Sequence, residues 1–298
     1  MKNYKYILGI SIIATSLFSC GSDNGKADGY GNFEATEITI SAENNGKLML
    51  FNIDEGDKLE KSKFVGYIDT IPLALKREQL EVSKAVVSSK SKGVLSQINV
   101  LNAKLKTANT NRTRVENLIK DNAGTQKQLD DVTGEIDVIK SQIRSVEIQN
   151  APVVNELKSI DVQLKQIDDQ IEKSKIINPI NGTVLVKYAE PDEITSFGKP
   201  LYKVADLNTM QLRIYISETQ LANIKIGQEV SVKIDDNDGM KSYKGIISWI
   251  ASEAEFTPKI IQTKEERVAL VYAVKVDVTN DGSLKIGMPA EMWINETN

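Results

Sequence analysis

The sequence of 298 residues contains no histidine and a single cysteine. Histidine is the commonest general base and the commonest metal ligand, and one cysteine can form neither an intramolecular disulfide nor a thiolate cluster. Hydrolysis by a pair of carboxylates stays open, although no motif points to it. We therefore predict that the chain is not an enzyme and holds no metal or other cofactor.

Aromatic residues are also scarce, at 6%, and the formal net charge is -4. Aromatic side chains supply much of the buried area of compact domains, so their scarcity favours a thin, extended architecture. Nucleic-acid binding normally needs a basic face, which this charge does not support.

The N-terminus resembles a bacterial lipoprotein signal. Two lysines precede a short apolar run from Ile7 to Phe18, which ends in Leu17-Phe18-Ser19-Cys20. The run suits a signal peptide and is too short for a typical membrane span. This pattern predicts cleavage before Cys20 and acylation of its thiol, which would anchor the mature chain in a membrane. The alternative is a free cysteine beside an ordinary cleavage site.

The middle of the chain has the heptad pattern of a coiled coil. Two long arms with apolar residues at heptad spacing flank a turn at Asp121–Thr125, and Thr125 is positioned to cap the second helix. Because the arms are nearly equal in length, an antiparallel hairpin is favoured over two separate helices of a globular bundle. The register passes Pro152 without a slip, which predicts a kink within one helix. The clearest rows are Leu73, Leu80, Val87, Val94, Leu101, Ala108 and Val115, and Val132, Ile139, Val146, Val153, Ile160 and Ile167.

Short strands and turns precede and follow this hairpin. In order along the chain, these features resemble the HlyD-like membrane fusion proteins, the periplasmic adaptors of tripartite exporters. The resemblance covers essentially the whole mature sequence. Its motifs are Gly46, Glu55-Gly56-Asp57, Pro179-Ile180-Asn181-Gly182-Thr183-Val184, Gly198-Lys199-Pro200-Leu201, Ile226-Gly227-Gln228-Glu229-Val230 and Lys285-Ile286-Gly287-Met288-Pro289-Ala290.

The resemblance implies an elongated α+β fold, in which a long coiled-coil hairpin is inserted in a split lipoyl-like β-domain and followed by a small β-barrel. The predicted divisions are a signal peptide (1–19), a tether (20–32), the first lipoyl-like half (33–72), the hairpin (73–175), the second half (176–206) and the barrel (207–298).

The hairpin tip carries the most specific similarity. Adaptors that dock onto outer-membrane channels of the TolC type share an Arg, a Leu four residues later and a Ser seven residues after that. Arg114, Leu118 and Thr125 fall at this spacing, with Thr in place of Ser. The resemblance implies that these three side chains contact such a channel. The alternative interpretation is that Arg114 is a solvent-exposed residue on the flank of the helix and that Thr125 serves as a helix cap.

A second similarity concerns the inner-membrane partner. Phe256–Lys259 and Gln262–Arg267 resemble the barrel segment of adaptors that serve ABC exporters, although an exposed charged loop would look the same. The chain also stops soon after the barrel, where adaptors of RND pumps usually add a further domain. This second similarity therefore implies an ABC-type partner. The resemblance to the family as a whole implies self-association as a trimer or hexamer. It also implies a lipid anchor on the periplasmic side of the inner membrane of a Gram-negative bacterium.

Two other functions fit parts of the sequence. A lipoyl or biotin carrier would present a modifiable lysine at a turn between the two β-halves, but about a hundred residues of coiled coil stand there instead. A structural coiled-coil lipoprotein without an export role would tolerate changes at the tip.

Overall fold

A computed structural model describes residues 27–237, 239–256 and 270–294. Their contacts define two units, Ile38–Ala205 and the segments on either side of it, up to Glu37 and from Asp206 onward. The helices are α1 (Ile71–Lys120), α2 (Gln126–Lys173) and α3 (Glu218–Leu221). The strands are β1 (Gly29–Glu34), β2 (Glu37–Ser41), β3 (Gly46–Phe51), β4 (Lys58–Leu59), β5 (Phe64–Ile68), β6 (Lys175–Ile177), β7 (Gly182–Lys187), β8 (Ile194–Thr195), β9 (Pro200–Ala205), β10 (Thr209–Ser217), β11 (Glu229–Asp236), β12 (Gly239–Ile250), β13 (Glu255–Phe256), β14 (Leu270–Thr279) and β15 (Pro289–Trp293).

Helices α1 and α2 form the predicted hairpin, with 50 and 48 residues. At about 1.5 Å per residue, each is roughly 70 Å long. Helix α2 continues through Pro152 as one element. The buried side chains of the two helices all fall on the predicted seam, and they are Val87, Ser91, Leu101, Ala108, Ile136, Ile139, Val146, Val153 and Ile160.

Three polar contacts fix which residues of the two helices lie at the same height. They link charged and polar side chains that replace apolar residues in or beside the seam. Their partners and distances are Arg77 Nε to Asp168 Oδ1 at 2.7 Å, Lys84 Nζ to Asp161 Oδ1 at 2.7 Å, and Ser91 Oγ to Asn150 Oδ1 at 3.3 Å. Polar residues at a seam specify register, so these contacts hold α1 and α2 in one alignment.

The β-domain around the hairpin is assembled from both sides of it. One four-stranded sheet has the order β2-β9-β7-β4 and the other has the order β6-β5-β3-β8. Each sheet thus combines strands that precede the hairpin with strands that follow it. The split β-domain with an inserted hairpin is confirmed.

Buried Asn178 joins the two halves of this domain. Its side-chain amide donates to the carbonyl of Glu60 at 2.8 Å and to that of Ile180, and its Oδ1 accepts from the hydroxyl of Tyr202 at 3.1 Å. At the base of the hairpin, Asn44 Nδ2 donates to the carbonyl of Gln170 at 2.7 Å. Side-chain hydrogen bonds therefore join the two halves of the split domain and attach the C-terminal end of α2 to it.

The second unit contains the expected barrel. Strands β10, β1, β15, β11, β12 and β14 pair in that order, and pairing between β10 and β14 closes the ring, while β13 adds to the edge of β14. Inward side chains such as Phe33, Leu212 and Val276 are fully buried. Among the residues described, no helix is both long and apolar enough to cross a membrane.

Strand β1 corrects the predicted domain boundaries. The sequence predicts a flexible tether at 20–32 and the first lipoyl-like half at 33–72. Instead, Gly29–Glu34 is a barrel strand between β10 and β15, with Tyr30 opposite Tyr215 and Gly31 opposite Ala290. The glycines suit this position, because a Cβ on Gly31 would collide with the backbone of Arg213. At Gly29 and Gly31, the glycines that suggested a flexible tether allow close packing of strands instead.

Candidate protein-docking site at the hairpin tip

The turn between α1 and α2 is short and tightly hydrogen bonded. Three successive backbone N–H groups after α1 donate back into its last turn, including that of Ala123 to the carbonyl of Leu118 at 2.7 Å. Asn122 has φ 58°, in the left-handed region that asparagine tolerates better than most residues. A Cβ on Gly124 would lie 3.0 Å from the backbone nitrogen of Ile119, so only glycine fits this approach without a shift.

Thr125 starts α2 through a capping box. Its hydroxyl accepts from the backbone N–H of Gln128 at 3.3 Å, and the Gln128 side chain accepts from the backbone N–H of Thr125 at 2.9 Å. The cap role predicted for Thr125 is therefore present. The prediction missed Gln128, although the spacing Thr-x-x-Gln before an apolar helix is the sequence signature of this motif.

Arg114 and Leu118 lie one turn apart on the last part of α1, on the same face of the helix. Both are exposed, and Leu118 retains 41% of its accessible surface. Arg114 Nη1 donates to Asn111 Oδ1 at 3.3 Å, a bond within the same helix. The fold thus brings these two side chains and Thr125 to the same end of the hairpin, where all three are accessible to solvent.

The chemistry of this surface suits recognition of another protein. A guanidinium has five N–H donors, of which the bond to Asn111 uses one. Leu118 offers a small apolar contact beside it. The Thr125 hydroxyl accepts a bond as the helix cap and keeps its own proton to donate.

Other predicted features lie outside the described residues. These are the lipidation site Cys20 and nearly all of the segment that resembles ABC-associated adaptors, of which only exposed Phe256 is described. In the described parts of the chain, no group of three Asp, Glu or Cys side chains could hold a metal ion.

No family model matches the chain. Curated relatives are similar over most of their length. A UPF0194 membrane protein of Yersinia enterocolitica is 25% identical over 285 residues, which cover 87% of each chain. The UPF0194 membrane protein YbhG of Salmonella arizonae is 24% identical, with 90% of this chain and 88% of the relative covered.

Solved structures share the fold. MacA from Actinobacillus actinomycetemcomitans is 20% identical with a TM-score of 0.58, covering 89% of this chain and 76% of MacA. A MacA–MexA chimera with the α-hairpin domain of Pseudomonas aeruginosa MexA is 19% identical with a TM-score of 0.54, and the match covers 90% of this chain and 81% of the chimera. The membrane fusion protein Spr0693 of Streptococcus pneumoniae R6 is 19% identical with a TM-score of 0.50, and the match covers 90% of this chain and 98% of Spr0693. The chain therefore has the fold of a membrane fusion protein.

Proposed function

We propose that the chain is a periplasmic adaptor that links an inner-membrane exporter, of the ABC type, to a TolC-like outer-membrane channel. The observation that carries this proposal is the tip of the hairpin. Two helices of 50 and 48 residues end in a short hydrogen-bonded turn, and Arg114, Leu118 and Thr125 are exposed to solvent at this end. A hairpin of roughly 70 Å supplies reach, and its tip supplies a specific contact.

The inner-membrane side of the proposal rests on Cys20 and on the segment around Phe256. Acylation of Cys20 would hold the chain at the periplasmic face of the inner membrane of a Gram-negative cell, with the barrel close to the exporter. The preference for an ABC exporter over an RND pump comes from the residues around Phe256 and Gln262–Arg267. Self-association as a trimer or hexamer would surround a conduit, and transport would need no catalytic group or cofactor in this chain.

Co-purification with the outer-membrane channel tests the proposal. Arg114→Asp reverses the charge of the exposed guanidinium and should reduce recovery of the channel at least tenfold while leaving the helical circular dichroism unchanged. Arg144→Asp makes the same change at another exposed position, away from the tip in α2, and should leave recovery unchanged. Equal recovery with both variants would refute docking through Arg114 and favour a structural lipoprotein.

A further inference from the structure

The apolar seam between α1 and α2 is interrupted about halfway along the hairpin. Its buried side chains form two separate clusters, one toward the β-domain and one toward the tip, and these are Val87, Val153 and Ile160, and Ala108, Ile136 and Ile139. Leu101 and Val146 are buried between the clusters but join neither. Next to the first cluster, Ser91 contacts Asn150 across the seam, with Oγ 3.3 Å from Oδ1. A polar contact therefore stands where apolar packing would otherwise continue.

Helix α1 is locally weak at this level. Four of its five serines and its only glycine lie between Ser88 and Ser96. Serine competes for backbone hydrogen bonds and glycine has the most backbone freedom to lose, so both lower the stability of a helix. Gly93 is exposed, and a Cβ added there would meet nothing within 4 Å. Because packing does not require a glycine at this position, its effect on α1 is the added freedom of the backbone.

Helix α2 is weakened opposite the same place. Pro152 has no backbone N–H, so the carbonyl of Ile148 lacks the bond that a helix normally supplies from four residues later, and the proline ring crowds that carbonyl. Pro152 lies two residues after Asn150, and Gly93 lies two residues after Ser91. Since Ser91 contacts Asn150, the two weak points are separated by only about 6 Å along the hairpin, roughly one helical turn.

We propose that this level is a hinge, at which the tip half of the hairpin bends relative to the half next to the β-domain. A two-helix hairpin bends where both helices yield at the same height, because a weak point in one helix alone is held straight by the other. Gly93 and Pro152 together meet this condition. Bending there also separates few apolar atoms, since the buried clusters lie on either side of the Ser91–Asn150 contact.

Such a hinge would move the tip sideways while the β-domain stays in place. Helix α1 continues for 27 residues beyond Gly93, about 40 Å. A bend of about 20°, the lower limit of a sharp helix kink, would therefore displace the tip by about 14 Å. The use of this movement in reaching a channel rests on the proposed function, whereas the hinge itself does not.

Distances between spin labels test the hinge in the purified full-length chain. Cys20, the one native cysteine, is replaced by serine so that labels attach only to introduced cysteines. The spanning pair, Val82→Cys with Ala103→Cys, lies across Gly93. The tip-side pair, Ser96→Cys with Asn117→Cys, lies beyond it. All four positions are exposed and share one heptad position of α1, and each pair is 21 residues apart, about 32 Å. An excess of unlabelled chain removes distances between copies.

Pulsed electron–electron double resonance should give a distance distribution at least twofold wider for the spanning pair than for the tip-side pair. Replacing Gly93 and Pro152 together by alanine should narrow the spanning distribution to the width of the other, because both helices then regain a regular backbone. Gly134→Ala is the matched control. Gly134 is an exposed glycine of α2 with equally open surroundings, and its replacement should leave both widths unchanged.

Equal widths for the two pairs would overturn the hinge. A spanning distance that is shorter but no wider would also overturn it, because that result describes a fixed kink. So would a spanning distribution that the double replacement does not narrow, or that Gly134→Ala narrows as much.

These distances are measured without a channel, which separates the hinge from the proposed function. A wide spanning distribution in a chain that recovers no channel would refute docking and leave the hinge intact. Channel recovery by a chain with equal widths would leave docking intact and remove the hinge.

Discussion

Replacing Asn178 should loosen the β-domain from which the hairpin projects. This residue has no accessible surface, and its side chain bonds the carbonyls of Glu60 and Ile180 and the hydroxyl of Tyr202. Burial raises the pKa of the Tyr202 hydroxyl, so it stays protonated and donates. Asn178→Leu keeps a similar volume but removes all three bonds.

The expected loss follows from these partners. A buried hydrogen bond contributes about 1 kcal/mol net, so three lost bonds cost about 3 kcal/mol. Since about 1.4 kcal/mol corresponds to a factor of ten, backbone amides in β5 and β6 should exchange with deuterium roughly a hundredfold faster. Tyr202→Phe removes one of the three bonds and should accelerate exchange only about fivefold.

Hydrogen exchange followed by mass spectrometry measures this effect locally. The strands of the barrel serve as an internal reference, since Asn178 bonds none of them. Exchange in β5 and β6 that changes less than threefold in Asn178→Leu would refute the role given to this residue in joining the two halves.

Three further outcomes are expected. Pro152→Ala removes a helix-interior proline at an exposed position, so the melting temperature of the hairpin, followed by circular dichroism, should rise; an unchanged or lower value would mean that α2 tolerates the proline without cost. Gly124→Ala should distort the tip and reduce channel recovery, because its Cβ would press on the backbone of Ile119; full recovery would show that the turn adapts. Hydrogen bonds from the side chain of Lys241 and then from the backbone of Ser283 hold the pKa of Asp281 well below its usual range. The stabilisation from this carboxylate is therefore complete above about pH 4 and is lost only as pH falls further. An ordinary pKa for Asp281 in a carboxyl-detected NMR titration would contradict this.

The hairpin could be predicted from sequence because its determinants are local and repeated. Each heptad independently places residues such as Leu101 and Ile136 on the seam, and both are buried. A single polar substitution, such as Ser91, does not obscure a pattern that continues on both sides of it. The cap at Thr125 could be predicted for the same reason, since its partner Gln128 is three residues away.

Strand β1 could not be predicted in this way. Its residues form a strand because Tyr30 pairs with Tyr215 and Glu291, far along the chain, and because Gly31 lets the neighbouring backbone approach closely. Nothing within a short window distinguishes this stretch from a flexible linker. The network of Asn178 is hidden for a related reason, because its partners come from both halves of a domain that the hairpin separates.

Cross-linking at the tip tests the proposed adaptor function most directly. A photoreactive amino acid at Leu118, in cells that produce the outer-membrane channel, should form an adduct with the channel protein. The same amino acid at Val138, an apolar position on the side of α2 that is 57% exposed against 41% for Leu118, should not. An adduct from Leu118 alone is the predicted result. No channel adduct from Leu118, or equal adducts from the two positions, would contradict docking through the tip.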